Sequence, residues 1–95
     1  MNFLNSREKL IEQKLVKAVK ARGGISPKFI SPGFVGMPDR LVLMPGGKLF
    51  FAELKAPGKK PRPAQLKRHE MLRKLGFKVY VIDSMEAMPD EVHTS

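Results

Sequence analysis

Residues 36–55 read Gly36-Met37-Pro38-Asp39-Arg40-Leu41-Val42-Leu43-Met44-Pro45-Gly46-Gly47-Lys48-Leu49-Phe50-Phe51-Ala52-Glu53-Leu54-Lys55. Two apolar runs flank a Pro-Gly-Gly turn, so the stretch reads as a β-hairpin with strands over 39–44 and 48–55. A three-residue loop pairs Met44 with Lys48 and, carried down the ladder, sets Asp39 directly opposite Glu53. Cross-strand partners hold their Cβ atoms about 4.5–5.5 Å apart, where like charges destabilise the pair. Side chains alternate along a strand, so Glu53 and Lys55 share a face with Leu49 and Phe51. Two carboxylates facing each other on a half-buried surface need a proton or a cation between them. Lys55 is one candidate for that cation and a divalent metal is the other. A loop longer or shorter by one residue would send the two acids to opposite faces.

The rest of the composition supplies a context. Ninety-five residues make one domain near the low end of the size that builds its own core, and 42% apolar content is that of a globular chain. With no cysteine, a disulfide scaffold, thiol catalysis and a cysteine-ligated zinc site are excluded. No apolar run is long enough for a membrane span, and the N-terminus lacks a secretory pattern, so the expected location is the cytoplasm. Eighteen Lys and Arg against nine Asp and Glu leave a net charge of +9, which points to a polyanionic partner, nucleic acid before membrane. The charge is also segregated. Lys55, Lys59, Lys60, Arg62, Lys67, Arg68, Arg73, Lys74 and Lys78 share one segment with a single acid, Glu70, whereas residues 83–95 form an acidic tail without Lys or Arg.

Outward from the hairpin, Asn5 or Ser6 is placed to cap a helix that runs to about Arg22 and ends at Gly23-Gly24. Leu4, Ile11, Leu15 and Val19 mark its core face, with Leu10 and Val16 beside them, and Glu8 falls inside that stripe while Glu12 flanks it. Glu8 reads either as a capping acid three residues after Asn5 or as an acid turned toward the hairpin, and Glu12 as a solvated partner of its basic neighbours or the same. Lys28 to Ser31 is a short candidate strand between Pro27 and Pro32. A basic, Pro- and Gly-containing connection over 56–63 leads to a second helix ending at Gly76. Its expected inner face is Ala64, Met71, Leu72 and Leu75, bordered by Gln65. Lys78 to Ile82 is a last strand; the crossover helix before it permits a parallel pairing with the second hairpin strand. The order is helix, strand, β-hairpin, helix, strand: an α/β domain with a mixed sheet flanked by helices. The segment 83–95 has room for one helical turn. His69 and His93 are isolated in the sequence, and His69 reads as a surface residue.

Asp39 and Glu53 are hard oxygen donors of the kind that hold Mg²⁺ or Mn²⁺ together with waters and substrate phosphate. A lysine beside such an ion can position water or stabilise a phosphate gaining charge, and the basic segment can grip a phosphate backbone. The residues for metal-assisted phosphodiester hydrolysis are therefore all present. The rival reading is a non-catalytic nucleic-acid-binding module in which Glu53 and Lys55 form a structural ion pair.

Pro38-Asp39 followed after the turn by Glu53-Leu54-Lys55 resembles the PD-(D/E)xK nuclease signature. Gly36-Met37-Pro38-Asp39-Arg40, the Pro-Gly-Gly hairpin, Phe51-Ala52-Glu53-Leu54-Lys55, Gln65 and Gly76-Phe77-Lys78-Val79-Tyr80-Val81-Ile82 together resemble the VRR-NUC domain, the virus-type replication-repair branch of that superfamily. The likeness runs from about Arg7 to Asp83, which implies a stand-alone phage or bacterial member with a restriction-endonuclease-like core in residues 1–95. It implies Asp39 and Glu53 as metal ligands with the Leu54 carbonyl as a third, Lys55 as the catalytic lysine, Gln65 as a residue projecting toward the site, and Glu8 as the acid of the first helix, with Glu12 competing for that place. Lys59, Lys60, Arg62, Lys67 and Arg68 are the expected DNA contacts. Similarity to Holliday-junction resolvases extends the expectation to a homodimer that cuts branched DNA such as a four-way junction or a flap.

Overall fold

A computed structural model describes residues 3–92, with side chains from residue 7 onward. Helix α1 (Phe3–Ala21) leads to the hairpin β1 (Arg40–Met44) and β2 (Lys48–Leu54), then helix α2 (Pro63–Lys74), strand β3 (Lys78–Ile82) and a short 3₁₀ turn, Asp90–Val92. The sheet order is β1-β2-β3. β1 and β2 are antiparallel in the register Met44↔Lys48 through Arg40↔Ala52, and β2 and β3 are parallel, Phe50↔Lys78 through Leu54↔Ile82. Both pairings agree with the sequence. Gly46 and Gly47 carry positive φ in the turn, a conformation open to glycine at little steric cost, and so hold the loop at three residues.

Central β2 is covered on both faces. Phe50, Ala52 and Leu54 pack with Ile11, Leu15 and Val19 of α1, and Phe51 packs with Leu72 of α2 and Val79 of β3. The alternation of one strand thus feeds two cores in a three-layer α/β/α arrangement. Met88 and Val92 close the α1-side core, and the Tyr80 hydroxyl donates to Glu91 at 3.0 Å. The last segment therefore folds back onto its own chain and buries these two apolar residues.

Four local expectations are corrected. Residues 28–31 form no strand; the chain meets the outer edge of β1 only at isolated bridges, Ile25↔Leu43 and Lys28↔Arg40, because prolines bracket it and cannot donate to a ladder. α1 is already helical at Phe3, so neither Asn5 nor Ser6 is its cap, and Glu8 lies in the second turn rather than at a capping position. In α2 the buried residues are Gln65, His69 and Leu72, while Leu75 is 66% exposed and Ala64 faces solvent. His69 is accordingly not a surface residue but is fully buried. His93 lies outside the described residues.

One close approach positions everything that follows. Gly36 has φ +88°, and a Cβ there would fall 2.5 Å from the Ala64 carbonyl oxygen. The absence of a side chain lets the segment before Asp39 pass directly against the first turn of α2.

Candidate active site

Asp39 sits one residue before β1, and the register that sets Arg40 opposite Ala52 continues to Asp39 opposite Glu53. Its Oδ2 accepts a hydrogen bond from the Leu54 N–H at 2.9 Å, and its carbonyl accepts one from Phe29 N–H at 2.7 Å. Both ends of the residue are thereby anchored. Glu53 is 1% exposed at the carboxyl end of the central strand. The Lys55 Nζ stands 3.5 Å from Glu53 Oε2.

The second helix supplies the other partners of Glu53. Gln65 accepts the Arg62 N–H through Oε1 at 2.8 Å, capping the start of α2, and donates through Nε2 to Glu53 Oε2 at 3.0 Å. The cap fixes which end of the amide faces the acid. His69 lies one helical turn on, with Nε2 3.4 Å from Glu53 Oε1. Burial, reinforced by the Asp39 charge and a hydrogen bond between the two acids, pushes the Glu53 carboxyl up to about 8, against which Lys55 pulls down. Burial, then the charges of Arg73 and Lys55, hold His69 below the usual imidazole range.

On the α1 side, Glu8, Asp39 and Leu54 line one open cleft with Lys28 and Ile30. Burial and then the Asp39 charge raise the Glu8 carboxyl above its ordinary value. Glu12 lines the same cleft, but Arg40 engages it at 3.1 Å, and the same guanidinium donates to the Ser26 carbonyl at 2.5 Å. Of the two helix acids, Glu8 is the one set beside Asp39 without that arginine.

Lys59, Lys60, Arg62 and Lys67 are exposed. Arg68 is instead tied to the loop before Asp39: it donates to the Val35 carbonyl at 2.9 Å and lies 3.6 Å over the Phe34 ring. The residue that sequence reasoning missed is His69. Its only signal was its spacing of four from Gln65, which places both on one helix face.

The donor set suits a small hard cation. Among the described residues no three His, Cys, Asp or Glu side chains converge as a complete cage. Asp39 and Glu53 offer two carboxylates, the share of the shell that Mg²⁺ or Mn²⁺ takes from protein when water and phosphate complete it. A carboxylic acid pushed up to about 8 beside a second carboxylate is a site where a divalent ion would displace the shared proton.

No family model matches the sequence. A solved structure described as a VRR_NUC domain superposes with a TM-score of 0.79 at 36% identity, covering 84% of this chain and 87% of its own. A phage protein, Putative nuclease p44 of Acyrthosiphon pisum secondary endosymbiont phage 1, is 54% identical over 80 residues, 84% of this chain and 86% of the phage protein. The chain belongs to the VRR-NUC nuclease family. Its three-stranded mixed sheet between two helices is the VRR-NUC fold, and the Asp39–Glu53–Lys55 cluster lies at the carboxyl end of that fold's central strand. Among the described residues, no VRR-NUC helix here is long and apolar enough to cross a membrane.

Proposed function

We propose that this VRR-NUC domain is a Mg²⁺- or Mn²⁺-dependent, structure-selective DNA endonuclease. The observation that carries the proposal is the buried Glu53 carboxylate held against Asp39 with Lys55 at 3.5 Å. Asp39, Glu53 and the Leu54 carbonyl hold the divalent ion, which when bound neutralises phosphate charge and lowers the pKa of a coordinated water. Lys55 orients the attacking water and offers a proton-bearing amine to the phosphate oxygens as they gain charge. Gln65 holds one Glu53 oxygen in place, and Glu8 supplies a further acceptor at the rim of the cleft for an ordered water. Lys59, Lys60, Arg62 and Lys67 grip the DNA backbone.

The substrate in this reading is branched DNA, a four-way junction or a flap, and the acting species is a homodimer whose two-fold symmetry matches two opposed strands. Exposed Leu10 on α1 is an apolar candidate for the subunit contact. A phage-type nuclease of this kind serves DNA repair or replication in the cytoplasm of a host cell. The test incubates the protein with labelled four-way junction, flap and duplex DNA, with and without Mn²⁺. Wild-type protein cuts a branched substrate only with the metal, and Lys55→Ala binds the same DNA without cutting. Normal cleavage by Lys55→Ala would sink the mechanism. DNA binding without product under any divalent ion would favour the non-catalytic module.

A further inference from the structure

His69 has no part in the chemistry above, yet it is one of only three buried residues of α2. Two of those three, Gln65 and His69, are polar, and both reach the same acid. Gln65 Nε2 meets Glu53 Oε2 at 3.0 Å and His69 Nε2 meets Oε1 at 3.4 Å. Each carboxylate oxygen has its own donor from one helix face. The His69 ring is fully buried, and its Nδ1 lacks a hydrogen-bond partner. A proton on Nδ1 would leave an N–H unpaired and turn the Nε2 lone pair toward a carboxylate. The Nε2–H tautomer leaves only a lone pair unpaired and directs its N–H at Glu53. An apolar residue would fill this space with no unpaired atom, so packing does not account for the imidazole.

We propose that His69 is a positioning residue which, with Gln65, locks the Glu53 carboxylate facing Asp39 and so sets the geometry of the divalent-ion site. The inference rests on the metal-dependent reading above. Glu53 projects from β2 on the face that also carries Phe51, toward α2, while its chain neighbours Ala52 and Leu54 turn into the α1-side core. Side chains from α2 join Lys55 in holding its free end, and a neutral imidazole donates from a fixed distance without adding a charge. Groups that orient a ligand in this way typically change metal affinity or activity about 10- to 100-fold when lost.

The experiment measures Mn²⁺ affinity of the full chain by electron paramagnetic resonance and calorimetry, without DNA, for wild type, His69→Leu, His69→Gln and His69→Asn. Folding is followed by circular dichroism. Glutamine carries its amide N–H near the position of ring Nε2; asparagine reaches only as far as Nδ1. His69→Leu and His69→Asn weaken Mn²⁺ binding about 10- to 100-fold, and His69→Gln restores it close to wild type. Equal affinity in all four proteins overturns the inference. If His69→Leu does not fold, the Gln and Asn variants decide it, and equal affinities in those two overturn it as well. Wild-type protein that binds no Mn²⁺ overturns the metal-dependent reading itself, and this inference with it.

Discussion

Glu53→Gln separates the electrostatics of the site from its chemistry. In the metal-free protein the Glu53 carboxyl is pushed up to about 8 by burial and by Asp39, from an ordinary value of 4.5. The folded state therefore holds a proton that the unfolded chain releases, and the contribution to stability is present at low pH and lost as pH rises toward and through 8. His69 acts with the opposite sign. Its folded value lies below 6.5, so its effect on stability is complete once the pH exceeds the ordinary imidazole range. Between about pH 6.5 and pH 9, Glu53 is left as the dominant titrating group of the site. At 1.36 kcal/mol per unit, the roughly 1.5 units between pH 6.5 and the raised value of about 8 cost the wild type about 2 kcal/mol that the amide variant does not lose. For a domain of this size the difference corresponds to about 8–16 °C in Tm. Urea unfolding in EDTA at a series of pH values measures it. The wild-type curve falls relative to Glu53→Gln across this window, and saturating Mg²⁺ or Mn²⁺ flattens the fall by replacing the proton. Parallel curves for the two proteins would refute the raised carboxyl and the paired-acid argument built on it.

Two further predictions use the same geometry. Glu8→Gln reduces cleavage by about tenfold or more, whereas Glu12→Gln leaves cleavage near wild type and lowers stability by about 1 kcal/mol through the loss of the Arg40 pair; single-turnover assays with urea titrations check both, and the reverse ranking would reassign the helix acid. Gly36→Ala drives a methyl toward the Ala64 carbonyl at a positive φ, so unfolding free energy drops by about 2 kcal/mol or more; an unchanged urea midpoint would show that the loop can move away from α2.

What could be read from the sequence was local and periodic. The length of the Pro45-Gly46-Gly47 turn determined the hairpin register, and the register determined that Asp39 faces Glu53, because both follow from counting residues along two extended strands. The crossover helix determined that β3 could run parallel to β2. The rotation of α2 could not be read in this way. Its apolar residues Ala64, Met71, Leu72 and Leu75, bordered by Gln65, suggested one inner face, but of these only Leu72 and Gln65 are buried, joined by His69. A buried carboxylate on the facing strand stabilises polar partners more than solvent does, and only the packing of helix on sheet brings that carboxylate within reach. What distinguishes Glu8 from Glu12 is of the same kind: Arg40, 28 residues away in the chain, engages Glu12. Arg68 is engaged by Phe34 and Val35 of a loop that the sequence leaves without a regular period. Periodicity along the chain thus placed the acids opposite each other, and only the tertiary structure, through contacts between distant segments, determined which side chains hold them there.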